Sequence, residues 1–268
     1  MSYDEFGNRM KIYEGLECSR TLIPLLPIMV RLDGHGFSKY TKGLKRPFDP
    51  RLSKCMQETT KKLMESSNAC VGYTQSDEIS LVMYSNSYNT QNYFNGRIQK
   101  LVSILCSQCT VYFNKLVTTL IPEKSEVGAE FDCRVWNVPN LGEASNVLLW
   151  REQDATKNSI SMAARSYYSH KELHGKSGKE MQEMLFAKGV NWNDYPAFFK
   201  RGSFFVRKRK TKKYSSEEFN NLPIKHAARN NPELEIERNV IELVDMPKFS
   251  SVINRVEVLF NGDEIKVS

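Results

Sequence analysis

Only four residues, Gln75-Ser-Asp-Glu78, separate two apolar, strand-like runs at 69–74 and 79–84. A link that short permits little besides a tight antiparallel hairpin. Its flanks fix much of the rest. Asp49-Pro50 forms an N-cap and N1 pair that opens a helix to about Ser66. Over 91–120, Ile98, Leu101, Ile104, Leu105 and Val111 fall near one face of a long helix. Residues 28–32 read as a buried strand that stops at Asp33-Gly34, and 131–137 as another ended by Pro139. The order is strand, helix, strand, strand, helix, strand. This is the split βαβ arrangement of ferredoxin-like α+β domains.

Polymerases and nucleotide cyclases build their palms on that arrangement, so a palm over 1–140 is expected. It includes an N-terminal helix over 4–17 with Phe6, Met10 and Tyr13 at helical spacing. Residues 141–268 form a C-terminal α/β extension expected to complete an RNA-binding surface. There, 143–169 read as helix and Ser177-x-x-Glu180 as a capping box, with Gly189 as its helix C-cap. Residues 202–208 read as a strand and the polar 209–234 as a loop. The last thirty residues hold strand-like stretches without an evident place.

Charge narrows the partners. The chain carries 38 basic and 31 acidic residues, a net +7 that suits a polyanion such as nucleic acid. The N-terminus lacks signal-peptide regions, and no apolar run is long enough to cross a bilayer. The six cysteines are therefore expected as reduced thiols of a cytoplasmic protein. Cys106 and Cys109 form a C-x-x-C, but within a helical apolar pattern that points to core packing. His170 and His174 are spaced i, i+4 without a third ligand and read as a surface pair. Walker A, G-x-G-x-x-G and G-x-S-x-G motifs are absent from the sequence.

Carboxylates supply the chemistry. Asp33 ends the first strand, and Asp77 and Glu78 occupy the hairpin turn. In the ferredoxin-like sheet these strands are antiparallel neighbours, so Asp33 converges at one sheet end with Asp77 and Glu78, over forty positions away in sequence. Clustered carboxylates repel unless a cation neutralises them. Hard oxygen ligands suit Mg²⁺, and two such ions serve nucleotidyl transfer. Each motif by itself also reads as an ordinary turn; their convergence favours metal.

Gly34-His35-Gly36 follows the first carboxylate, and its N–H groups could cradle a triphosphate. Lys39, Lys42, Lys45 and Arg46 come next, either as phosphate ligands or as a solvated basic loop. Between Lys200 and Lys213 lie eight basic residues and no acidic one: Lys200, Arg201, Arg207, Lys208, Arg209, Lys210, Lys212 and Lys213. Aromatics are interleaved upstream. The charges are expected on RNA phosphates and most of the phenylalanines in the core.

Five segments in order resemble one family. Arg31-Leu-Asp-Gly-His-Gly-Phe37 is similar to the R-L-D-G-x-x-F segment of tRNA(His) guanylyltransferases, and Gln75-Ser-Asp-Glu78 to their Q-S-D-E hairpin. Phe131-Asp-Cys-Arg-Val135 resembles F-D-x-R-V, Trp150-Arg-Glu-Gln-Asp154 resembles W-R-Q-x-D, and Lys200-Arg-Gly-Ser203 loosely matches R-K-G-T. The resemblance spans roughly residues 5–210. It implies a nucleotidyltransferase that extends tRNA 5′ ends in the 3′→5′ direction. It also implies two Mg²⁺ ions on Asp33, the Gly34 carbonyl and Asp77, with Glu78 in the catalytic set. Nucleoside triphosphate contacts map to Asp33, Gly34, His35, Gly36, Phe37, Ser38, Ser76 and Asp77. Lys45 and Arg46 are added from the basic loop, and ATP or GTP serve as activating and donor nucleotides. Family members are commonly tetramers, so a homotetramer is expected.

One departure matters. In the eukaryotic enzymes W-R-Q-x-D-C precedes H-I-N-N-L-Y-N; here Asp154 is followed by Ala-Thr-Lys-Asn-Ser-Ile-Ser-Met162. This favours the bacterial, archaeal and phage-like branch, which resembles template-dependent repair polymerases. The competing readings are a strict single-G tRNA(His) enzyme, a catalytically silent RNA-binding palm, and a nucleotide cyclase.

Overall fold

The computed structural model describes residues 4–88, 93–231 and 233–268. In chain order the elements are α1 (Glu5–Cys18), β1 (Ile28–His35), α2 (Phe37–Tyr40), α3 (Pro50–Ser67), β2 (Val71–Gln75), β3 (Glu78–Met83), α4 (Ile98–Leu120), β4 (Glu130–Asn137), α5 (Leu141–Arg165), α6 (His170–Leu173), α7 (Gly178–Ala187), α8 (Ala197–Arg201), β5 (Ser203–Lys213), α9 (Ser216–Asn220) and β6 (Glu235–Val244). The strands form one antiparallel sheet in the order β4-β1-β3-β2-β5-β6. Its first four positions are those of a ferredoxin-like palm, as the sequence predicts.

Period-two patterning of the strands sorts side chains onto two cores. Ile28, Val30 and Leu32 of β1 join Ile79 and Leu81 of β3 against α3 and α4. Met29, Val71, Tyr73 and Val82 face the other way, against α5 and the C-terminal Phe249, Val258 and Leu259. α3 begins as expected: the buried Asp49 carboxylate accepts from the Arg51 N–H at 3.0 Å, with Pro50 at N1. A third cluster joins α5, α7 and α8 through Ala163, Leu185 and Phe199.

Several boundaries differ from the sequence reading. β1 does not stop at Asp33 but runs to His35, because β4 begins early enough to pair Gly34 with Phe131 and His35 with Glu130. The long helix starts at Ile98; residues 91 and 92 of the expected span lie outside the described residues. α1 is a helix, but its Phe6, Met10 and Tyr13 are exposed and none of its residues is buried. The largest correction is at 209–234. β5 continues to Lys213 and pairs with β6 over ten residues, Phe204 with Val244 through Lys213 with Glu235. Lys210 bridges to Glu242 across this ribbon, and the pairing places residues 235–244 as an added edge strand, while the strand-like stretches after them form turns of helix instead. α7 opens with the Ser177–Glu180 capping box, and Gly189 follows it at φ 76°. No described helix is long and apolar enough to cross a membrane.

Candidate active site

β1 lies between β3 and β4, with Asp33 opposite both Glu78 and Asp132. Directly opposed residues share a face, so three carboxylates meet beside the β2–β3 turn. That turn is only Ser76-Asp77, and Ser76 adopts the left-handed region at φ 54°. The Gly34 N–H donates to the Asp77 carbonyl at 3.1 Å and ties the end of β1 to the turn. The topology thus brings Asp33 and Asp77 together.

The carboxylates are not equivalent. Burial, reinforced by the charges of Asp33 and Glu78, holds the Asp77 carboxyl above its usual range, although a hydrogen bond from Ser76 opposes it. A nearby cation would reverse that penalty. Glu78 already has a cation. Its Oε1 accepts from Arg151 Nε at 2.7 Å and its Oε2 from Arg151 Nη2 at 2.6 Å, with both side chains largely buried. Arg151 also reaches Asp154 at 3.1 Å. Among the described residues, no three His, Cys, Asp or Glu side chains are arranged to hold a metal. Asp132 is paired with Arg134 at 3.1 Å, so what is left is two carboxylates, Asp33 and Asp77, and the Gly34 carbonyl. A hard, partly hydrated cation that completes its shell with substrate phosphates fits this donor set.

The loop after β1 is built by aromatic packing. Phe37 is buried against Tyr40, Phe113 and Phe131, with centroids 5.0–5.6 Å away. Its ring lies across Gly34, where an added Cβ would meet it at 2.2 Å. Gly36, at φ 63°, turns the chain into α2.

Beside this loop opens a cavity of about 370 Å³ lined by Phe37, Ser38, Thr41, Lys45, Arg46, Phe48, Ser76, Asp77, Met162, Arg165 and Ser166, among others. Of the expected nucleotide contacts, Phe37, Ser38, Lys45, Arg46, Ser76 and Asp77 line it. Asp33, Gly34, His35 and Gly36 do not, and His35 is exposed. Arg165 and Met162, at the end of α5, escaped the sequence reading. Only the tertiary path of α5 brings them there. Met162 belongs to the segment standing where the eukaryotic motif would be. From the same segment Ser159 is buried, accepts from Trp192 Nε1 at 3.2 Å and donates to the Thr156 and Lys200 carbonyls at 2.8 and 3.2 Å.

The remaining motifs serve as joints. Arg201 Nε lies 4.0 Å from the buried Glu152. Gly202, at φ 81°, passes so close to β2 that a Cβ would meet Tyr73 Oη at 2.6 Å and the Thr74 carbonyl at 2.7 Å. Ser203 Oγ accepts from Gln57 Nε2 at 2.9 Å. Lys200 is hydrogen-bonded to the Asn193 carbonyl and lies 5.6 Å from the Trp192 ring centre.

The basic run is not one patch. Phe204 and Val206 belong to the α5-side core and Phe205 to the α3/α4 side, so Lys208 and Lys210 face one way, Arg207 and Arg209 the other. Arg207, expected on RNA, is committed inward. Half-buried, it donates to the Ala69 carbonyl at 3.0 Å and to the Met64 carbonyl, capping the end of α3. Lys210 is paired with Glu242 and Lys213 with Glu233; Arg209 is exposed.

The cysteines are free thiols. Burial pushes Cys55 up to about 11 and Cys70 and Cys133 up to about 12, as befits packed, unreactive groups. His170 and His174 have ring centres 6.4 Å apart.

Residues 7–139 match the tRNAHis guanylyltransferase family model. The tRNA(His) guanylyltransferase of Saccharomyces cerevisiae is 31% identical over 211 residues, covering 72% of this chain and 87% of that protein. A solved bacterial tRNA(His) guanylyltransferase-like protein in complex with ATP superposes with a TM-score of 0.72 at 40% identity, covering 75% of this chain and 88% of that one. Another, in complex with GTP, gives 0.71 at 32% identity, with 92% and 94% covered. The chain belongs to the tRNA(His) guanylyltransferase family and is a nucleotidyltransferase.

Proposed function

We propose that this protein adds nucleotides to tRNA 5′ ends in the 3′→5′ direction, directed by the opposite strand, as a repair activity. The observation that carries the reading is the union of Asp33 and Asp77 beside a cavity of about 370 Å³ whose wall carries Lys45, Arg46 and Arg165. Solved relatives in complex with ATP and with GTP support a nucleoside triphosphate there. Asp33, Asp77 and the Gly34 carbonyl would hold two Mg²⁺ ions, which supply charge neutralisation at the transferring phosphate. Lys45, Arg46 and Arg165 bind and orient the phosphates. The 3′-hydroxyl of the incoming nucleotide then attacks the 5′-phosphorus of an activated end held in the same site, forming the phosphodiester and displacing pyrophosphate from a triphosphate end or the activating nucleoside monophosphate from an activated monophosphate end. A 5′-monophosphate first needs activation by ATP or GTP; a 5′-triphosphate does not.

Template direction rests on the replacement of the eukaryotic motif by Thr156–Met162. Here Ser159 is a packing hub and Met162 an apolar wall, neither suited to reading one fixed base. RNA is bound through exposed cations of β5. The exposed apolar side of α1, with Phe6, Ile12, Tyr13 and Leu16, supports burial between copies in a homotetramer. A cytoplasmic site of action completes the reading. It is tested by incubating the protein with Mg²⁺, labelled triphosphates and intact and 5′-truncated tRNAs bearing mono- or triphosphate ends. Extension of truncated species supports it, and no extension of any RNA refutes it.

A further inference from the structure

Glu78 stands next to Asp77 in sequence and opposite Asp33 in the sheet, where it would be expected to act as a third metal ligand. Its geometry says otherwise. Both oxygens accept from Arg151, from Nε at 2.7 Å and from Nη2 at 2.6 Å, a fork-to-fork pair that fixes direction as well as distance. Arg151 is itself held on two sides, by Asp154 at 3.1 Å and by the Trp150 ring, whose centre lies 4.5 Å from the guanidinium carbon. Side-chain exposures of 13% for Arg151 and 12% for Glu78 leave little solvent screening.

We propose that Arg151 is a positioning residue that clamps Glu78 out of the metal site, so that Asp77 of the β2–β3 turn and Asp33 of β1 are left as its carboxylate ligands. The proposal rests on the metal-dependent reading above. Two carboxylates leave coordination positions for phosphate oxygens and water, as Mg²⁺ in phosphoryl transfer requires. A third would bind the cation more tightly and occupy a position that the substrate needs. Glu78 also opens β3 immediately after Asp77, so holding its carboxylate against α5 fixes where the turn points.

The test is Mn²⁺ binding to the full chain without RNA or nucleotide, followed by electron paramagnetic resonance, together with turnover on a truncated tRNA. Arg151→Gln frees Glu78 and is expected to tighten Mn²⁺ about tenfold while lowering kcat roughly ten- to a hundredfold, the range typical of groups that orient metal ligands. Adding Glu78→Gln to it returns Mn²⁺ affinity to near the wild-type value. That double variant leaves no unpaired buried charge, so it serves even where Arg151→Gln folds poorly. Arg151→Lys keeps the charge but loses the fork. It is expected to hold Mn²⁺ as the wild type does and to recover little of kcat.

Wild-type turnover in Arg151→Lys would overturn the clamp, as would Mn²⁺ affinity unchanged or weakened in Arg151→Gln. Asp33→Asn distinguishes the two levels of failure. If it binds Mn²⁺ like the wild type, the metal reading falls and the clamp with it. If binding depends on Asp33 but Arg151→Lys is fully active, the clamp alone falls.

Discussion

The carboxylate end of β1 and the basic run of β5 show opposite relations between sequence and space. Asp33, Asp77 and Arg151 are far apart in the chain, yet sheet register and the path of α5 bring them to one site. Arg207 to Lys210 are consecutive, yet the pleat sends alternate residues to opposite faces, with Arg207 pinned to the end of α3. Adjacency in sequence is therefore a poor guide to a functional surface when the segment is a strand. Separation is no obstacle when topology supplies the register.

Removing one converging carboxylate should have the largest effect. Asp33→Ala and Asp77→Ala are each expected to leave folded protein with nucleotide addition reduced about a thousandfold. Because the two act as a unit, the double variant should be no slower than either single one. Independent, multiplying losses in single-turnover assays would show that the site is not shared.

Gly202 tests the joint between β5 and the hairpin. Gly202→Ala places a Cβ against Tyr73 and Thr74 in a left-handed conformation. Backbone strain alone should cost about 1–3 kcal/mol in urea unfolding, with addition activity falling in step as β2 shifts.

The basic run of β5 is tested by neutralising its faces separately. Lys208→Ala with Lys210→Ala, on the face shared with Asp33, should lower the salt dependence of tRNA binding by about one unit for each phosphate no longer neutralised. Arg207→Ala should leave that slope unchanged while costing roughly 1–3 kcal/mol of stability through the carbonyls it abandons. Equal slopes from all variants, read by filter binding across salt, would mean that the run acts as one patch.

These contrasts mark what was legible. The hairpin, the α3 cap and the split βαβ order follow from local signals: a four-residue link, Asp49-Pro50 and apolar periodicity. Asp33 and Asp77 were legible because that order implies their strands are neighbours. Arg151 was visible only as part of a motif, since nothing local says that a helix residue reaches Glu78. Arg165 and Met162 were hidden for the same reason. β6 could not be placed because most of its side chains are exposed or only half-buried, and its register on β5, with Arg209 opposite Asn239 and Lys210 opposite Arg238, leaves no local period to read.

A smaller effect concerns Glu152, which links α5 to α8. Burial holds its carboxyl above the usual range, against its bond from the Phe249 N–H and the charge of Arg201. A raised native pKa means that the folded state keeps the proton longer than the unfolded chain. The associated stability is present at low pH and is lost as pH rises through the native value. Glu152→Gln should therefore gain stability relative to the wild type as pH rises above the ordinary glutamate value of about 4.3. A difference that stays flat as pH rises would place the carboxyl at its ordinary value.

On the function proposed above, the converged carboxylates serve addition directed by a template. Non-histidine tRNAs lacking their first 5′ nucleotide, offered Mg²⁺ and all four triphosphates, test it most directly when the opposing base is changed and the added base is read. Incorporation that switches to restore Watson–Crick pairing is the expected result. Addition of G alone, whatever the opposing base, and only to tRNA(His), would contradict it.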